Sequence, residues 1–289
     1  MSPKKLTIVV TCTHRKSVTP QHDLMARNLP SSDVRQRARV WSRALRRPQP
    51  TTPLIDLYRG ESWGQVKLLI TLAHDIGFDP NVFVASAGLG LRHVDEEAPA
   101  YAATFISKDE DSVAASRDES REWWSTLPRI ATGRGGRHLW VLSESYSRVI
   151  GTDLLETFAA DDLVVFGGSS EMPTHARVHS DRALRRALGG TVTSLNVRMA
   201  IQWLLLSRGN SPFSTRARDM WQDWSEQARY REEFGRQPLS DGAVIEFVAT
   251  LKEQDPGISK TRALRSLRDS GLACEQDRFS MLYQKAVAR

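Results

Sequence analysis

Apolar positions in the first half of the chain fall into short, β-branched runs separated by segments whose apolar residues recur at helical spacing. Leu6–Cys12, Val82–Ala87, His138–Ser143 and Asp162–Phe166 read as strands. Val34–Leu45, Ser62–Ile76, Asp118–Thr126 and Tyr146–Phe158 read as helices, with Val66, Leu69, Ile70 and Ala73 on one face of the second. Short strands alternating with helices imply right-handed crossovers and an α/β fold, a mostly parallel sheet flanked by helices. In such a sheet the four strand ends share one edge. That edge would gather Thr11–Lys16, Ser86–Gly90, Ser143–Tyr146 and Gly167–Glu171 at one crevice.

From about Ser194 the strand pattern stops. Leu195–Ser207 and Ser214–Gln227 read as helices, and the last fifty residues form a helical module: Asp241–Leu251, a Ser259-capped Lys260–Arg268, a break at Gly271, and a helix from near Cys274 carrying Phe279, Leu282 and Tyr283. The expected division is residues 1–193, an α/β catalytic domain with a basic insertion over 17–53, and 194–289, a helical region. Its helix-turn-helix-like order offers Lys260, Arg262, Arg265 and Arg268 to DNA; a three-helix cap packed on the first domain is the plainer alternative.

Charge changes the picture. The chain carries +6, with a pI near 9.5, and nine basic side chains between His14 and Arg47 face two acidic ones. Arg35, Arg39, Arg43 and Arg46 recur at a spacing that a helix aligns in one stripe, suited to nucleic acid phosphates or simply to solvent. Cys12 and Cys274, far apart, fit reduced thiols and a cytoplasmic setting. No apolar run approaches the roughly 18 residues needed to cross a bilayer, and the N-terminal run is too short for a signal peptide, so no membrane partner is expected. The seven histidines are scattered; only His175 and His179 have ligand-like spacing, and neither a metal site nor a cofactor is expected. Gly88-Leu-Gly90 lacks the third glycine of a dinucleotide fingerprint, and Gly133-Arg-Gly-Gly136 precedes a strand and reads as a turn.

Thr7-Ile-Val-Val-Thr-Cys-Thr-His-Arg-Lys16, Asp56-Leu-Tyr-Arg-Gly-Glu-Ser-Trp63, and Ser86-Ala-Gly-Leu-Gly-Leu-Arg-His-Val-Asp95 with Pro99-Ala-Tyr101 and Thr104 resemble the spaced motifs of the YaaA-like family over roughly the first 170 residues. The insertion from Ser17 to Pro53 departs from that family's compact pattern. The resemblance implies a fold like that of uracil-DNA glycosylases and action on DNA. With the basic insertion and the helical tail, the chain also resembles a phage-defence DNA glycosylase that excises glucosylated hydroxymethylcytosine.

Cleaving an N-glycosidic bond passes through an oxocarbenium-like sugar, which a carboxylate stabilises while orienting water. Asp95 is the expected carboxylate, with Glu144, Glu96 and Glu97 as substitutes. Backbone N–H groups at Gly88–Gly90 or Gly167–Ser170 would meet charge on the departing base. Ser86, Ser169 and Ser170 would bond the base, Tyr101 would stack on it, and His14, Arg15, Lys16 and Arg59 would hold phosphate. A base inside a duplex must be flipped out, which is why a polyanion surface would accompany such a site. The rival readings are a metal-dependent nucleotide-processing or nuclease-like enzyme and a non-enzymatic DNA-binding regulator.

Overall fold

Leu6 to Val10 are buried without interruption, the mark of a strand covered on both faces. In the computed structural model, which describes residues 4–130, 136–155, 162–230 and 237–287, this segment is the middle of a six-stranded sheet. Its strands are β1 (Lys4–Thr11), β2 (Phe78–Ser86), β3 (Gly90–His93), β4 (Arg137–Leu142), β5 (Leu163–Gly167) and β6 (Arg177–Val178), in the spatial order β3-β2-β1-β4-β5-β6. All pair in parallel except β3, which runs back along β2. Thr11 pairs with Ala85, Val10 with Val141 and Leu142 with Gly167, so the carboxyl ends of β1, β2, β4 and β5 are in line. The chain adds β2 on one side of β1 and then crosses to add β4 on the other. The topological switch point, where open α/β sheets bind ligands, therefore lies between the carboxyl ends of β1 and β4.

The parallel sheet and flanking helices are those expected, and two differences matter. The second strand begins at Phe78 instead of Val82, taking in Pro80 where β3 no longer covers its other side. Two strands are unexpected, the two-residue β6 at one edge and β3 at the other. Gly90, at φ 81°, reverses the chain after Ser86, and Leu91 to His93 return along β2 instead of continuing beyond the edge.

The longer helices of this region are α1 (Val34–Leu45), α2 (Glu61–Asp75), α3 (Arg117–Thr126), α4 (Glu144–Leu155), α5 (Leu195–Leu206) and α6 (Thr215–Ala228). Asp33 caps α1 by accepting from Gln36 N at 2.9 Å, and Val34, Ala38, Trp41 and Ala44 form its buried face. The expected extension of α4 to Phe158 and most of the turn at Gly133–Gly136 lie outside the described residues.

The chain divides into two compact units after Tyr230, not near Ser194. The change to helices at 194 is not a boundary, because α5 buries Leu195, Val197, Met199, Ala200, Trp203 and Leu204 in the same core as the sheet. The second unit holds α7 (Asp241–Gln254), α8 (Lys260–Asp269) and α9 (Gln276–Val287) around Val244, Val248, Ala263, Leu264, Leu267, Phe279 and Leu282. Among the described residues, no helix is long and apolar enough to cross a membrane.

Candidate functional site at the carboxyl edge

The loop after β1 is folded by its own polar groups. Thr13 Oγ1 lies 3.1 Å from both Arg15 O and Arg59 O, and Arg59 N donates to Arg15 O at 2.9 Å. His14, Arg15 and Arg59 are thereby brought together as an exposed basic rim. Lys16 turns the other way. Partly buried, it donates from Nζ to Thr13 O at 2.9 Å and His14 O at 3.1 Å, and the ammonium sits 4.3 Å from the Tyr101 ring centroid and 5.6 Å from that of Tyr58. Desolvation pushes its pKa below the ordinary lysine value, against the attraction of Cys12 and Asp111. Asp111 is fully buried and committed elsewhere, accepting from Arg27 N at 3.2 Å, from Arg27 Nε at 2.9 Å and from its Nη2.

Below the lysine runs a chain of hydroxyls. Ser86, at the end of β2, shares a hydrogen bond with Tyr101, whose OH lies 2.8 Å from that of Tyr58. Alongside, Cys12 Sγ is 3.2 Å from Tyr146 OH. Burial raises the pKa of Tyr58, Tyr101 and Tyr146 well above the ordinary phenol value, so all three stay neutral at physiological pH. Across the switch point, Ser143 N donates to Thr11 Oγ1 at 3.1 Å, tying the ends of β1 and β4.

The arginine-rich helix is fastened to this edge. Trp41, on the buried face of α1, donates from Nε1 to Gly88 O at 2.7 Å, and Trp123 of α3 donates to Ala87 O at 2.7 Å. The opposite face of α1 exposes Arg39, Arg43 and Arg46, none with an ion-pair partner among the described residues. Arg35, the fourth of the expected stripe, is paired with Glu122.

Several expected roles do not survive this geometry. Tyr101 is fully buried beneath Lys16 and presents no face to a base. Gly88 and Leu89 spend their N–H groups on Ser86 Oγ at 3.1 and 3.0 Å, so neither is free for a leaving group. A Cβ on Gly88 would lie 2.4 Å from Tyr101 Cδ2, and one on Gly90 1.9 Å from Pro128 O; these glycines admit neighbouring protein atoms, not ligand. Asp95 is displaced furthest. His93 pairs with Phe83, and Val94 N bonds Val82 O at 2.9 Å, which puts Val94 roughly 13 Å below Ser86 at about 3.3 Å per residue, with Asp95 next to it in the chain. Its carboxylate is 76% exposed and 3.6 Å from His93 Nδ1. Glu96 is bonded by Arg92 and by His93 N, and Glu97 by Thr51 Oγ1 at 2.6 Å. Glu144 does stand at the edge, opening α4, but it is exposed and paired with Arg148.

At the end of β5, Ser170 is exposed, whereas Ser169 is buried with its hydroxyl unpartnered among the described residues. Asn196 Oδ1 is also unpartnered, while its Nδ2 donates to Leu142 O at 3.0 Å. Arg262 and Arg265 lie exposed on α8 of the second unit, Arg265 at 3.7 Å from Asp269. Sequence reasoning placed Cys12 and Tyr146 at this edge without giving either a role, and it missed Tyr58 and Asn196. The signal for Tyr58 was present, since it stands in the same short block as Arg59.

Two concavities, of about 360 and 370 Å³, lie away from this cluster. The first, lined by Lys4, Arg137 and Arg208, sits where α2 and α5 end, and cations there complement the negative ends of helices. The second lies beside β6 around Arg177, Trp221 and the Arg229–Asp181 pair. We place the chemistry at the switch point instead, because it combines a partly buried amine, a thiol and neutral phenols at the edge where open α/β sheets bind ligands. Among the described residues, no group of three or more His, Cys, Asp or Glu side chains is arranged to hold a metal ion. No protein-family model, curated protein or solved structure matches the chain.

Proposed function

We propose that this protein is a DNA-acting N-glycosidase, a hydrolase of N-glycosyl bonds that flips a modified base out of the duplex and excises it at the carboxyl edge of the sheet, in defence against phage. The observation that carries this reading is the hydrogen bond from Trp41 to Gly88 O. It joins an arginine helix suited to a phosphate backbone to the turn that frames a cluster of proton donors. The rim of His14, Arg15 and Arg59 lies beside Lys16 on the same loop and can take the phosphates that flank a flipped nucleotide. The resemblance to the YaaA-like family points the same way, since three of its sequence blocks supply Cys12, Lys16, Tyr58, Ser86 and Tyr101, all members of the cluster.

The test is direct. Purified full-length protein is incubated with duplexes carrying cytosine, hydroxymethylcytosine or glucosylated hydroxymethylcytosine, and free base and alkali-labile sites are measured. Release of base from a modified duplex supports the reading, and intact DNA throughout sinks it. Replacing Arg39, Arg43 and Arg46 together by Gln should flatten the dependence of log affinity on log salt by roughly 0.9 per lost phosphate contact, to a similar extent for all sequences. An unchanged slope would remove α1 from the DNA surface.

A further inference from the structure

We propose, resting on the glycosidase reading, that the ε-amine of Lys16 is the nucleophile of the reaction, and that the protein is therefore also a lyase acting on abasic DNA. The argument begins with what the edge lacks. Asp95, Glu96 and Glu97 belong to the hairpin that runs away from the edge, and Glu144 is exposed and paired with Arg148. Asp111 is sealed by Arg27. Glu171, after β5, is paired with Arg117 and lies 3.6 Å from Arg121. Among the described residues, no unpaired carboxylate is left within the cluster to stabilise a sugar cation.

What the edge holds is an amine among neutral proton donors. Among the described residues, Lys16 has no carboxylate within ion-pairing distance, and its two hydrogen bonds, to Thr13 O and His14 O, can be made by a neutral amine as well as by an ammonium. Desolvation, the largest influence on its titration, favours the neutral form, and the neighbouring phenols, held protonated, supply no compensating negative charge. Amines so placed form imines with carbonyl carbons.

In the proposed step, the Nζ lone pair attacks C1′ and the C1′–N bond to the base breaks. The base leaves with the electron pair and takes a proton from the newly alkylated nitrogen. The C1′–O4′ bond then opens, O4′ is protonated by solvent or by a hydroxyl of the cluster, and a protonated imine joins C1′ to Nζ. Loss of the C2′ proton expels the 3′ phosphate, and water hydrolyses the imine to free the lysine.

The probe needs no knowledge of the target base. A duplex with one abasic site, made by removing uracil, presents the C1′ aldehyde directly, and sodium borohydride reduces any imine to a stable secondary amine. The full-length protein should form a covalent adduct that peptide mapping places on Lys16. Lys16→Arg, which keeps the positive charge near Tyr101 but cannot form the imine, should lose the adduct while retaining its native tryptophan fluorescence. Absence of an adduct, an adduct on another lysine, or an undiminished adduct in the Arg variant would each overturn the proposal. Base release without an adduct would leave the glycosidase reading standing and remove Lys16 from it. An adduct on Lys16 without base release from any duplex would support the amine chemistry and count against the glycosidase reading alone.

Discussion

Tyr101 bridges two other buried hydroxyls, and this makes Tyr101→Phe and Tyr58→Phe strongly non-additive. Ser86, Tyr58 and Tyr101 are each no more than 1% exposed, so water cannot replace a lost partner. Tyr101→Phe deletes both bonds of the bridge, at about 1 kcal/mol each, and leaves the Tyr58 phenol buried and unpaired, which costs about 1–3 kcal/mol more. The expected loss is about 3–5 kcal/mol. Tyr58→Phe removes only the end of the chain, since Tyr101 keeps Ser86, and should cost about 1 kcal/mol. The double variant loses the same two bonds but orphans no phenol at 58, so its cost should fall short of the summed single losses by about 2–4 kcal/mol, well beyond the roughly 0.3–0.5 kcal/mol by which independent sites depart from additivity. Urea unfolding followed by tryptophan fluorescence suits the measurement, because all eight tryptophans, from Trp41 to Trp224, lie in the first unit. Additive losses would refute the continuous hydroxyl chain.

Two further predictions follow from particular positions. Gly88→Ala should destabilise by about 1–3 kcal/mol through overpacking against Tyr101, whereas Gly64→Ala, in α2 with nothing within 4 Å of the added methyl, should stabilise by about 0.5–1 kcal/mol; equal melting temperatures would contradict the close packing at Gly88. Desolvation holds His138 at about 4, below its ordinary 6.5, so the unfolded chain binds its proton first as pH falls. Stability should therefore be full above pH 6.5 and drop by on the order of 3 kcal/mol as pH falls to 4; in His138→Leu that part of the pH slope should vanish, and an unchanged slope would assign it to other groups.

The parallel sheet was legible because its strands are continuous apolar runs and its helices carry their own punctuation. Helix α1 keeps its expected span, Val34 to Leu45, since the Asp33 cap and the spacing of Val34, Ala38 and Trp41 are both local signals. The position of Asp95 was not legible. It depends on the reversal at Gly90, and that turn is held by Pro128 O accepting from Leu91 N at 3.1 Å, with Tyr101 packed against Gly88, contacts made far along the chain. Lys16 was legible as a charge but not as a partly buried one, because burial is a property of the fold around it. The domain limit was misjudged for a related reason: a change from strands to helices is visible in sequence, but the packing of Trp203 and Trp221 on Phe166, which keeps α5 and α6 with the sheet, is not.

The central place of β1 also bears on how the chain comes off the ribosome. This strand is made before either neighbour, yet it lies between β2 and β4, and Cys12 meets Tyr146 across 134 positions. At roughly 5–20 residues per second, β1 waits about 7–27 s after it is made before Tyr146 exists at all. Until then a β-branched, apolar segment has at least one open edge, the kind of surface that invites pairing with other chains. The arrangement that puts reactive groups from distant blocks at one crevice thus requires the nascent strand to be shielded during synthesis, and a chain cut short before β4 would keep that edge exposed.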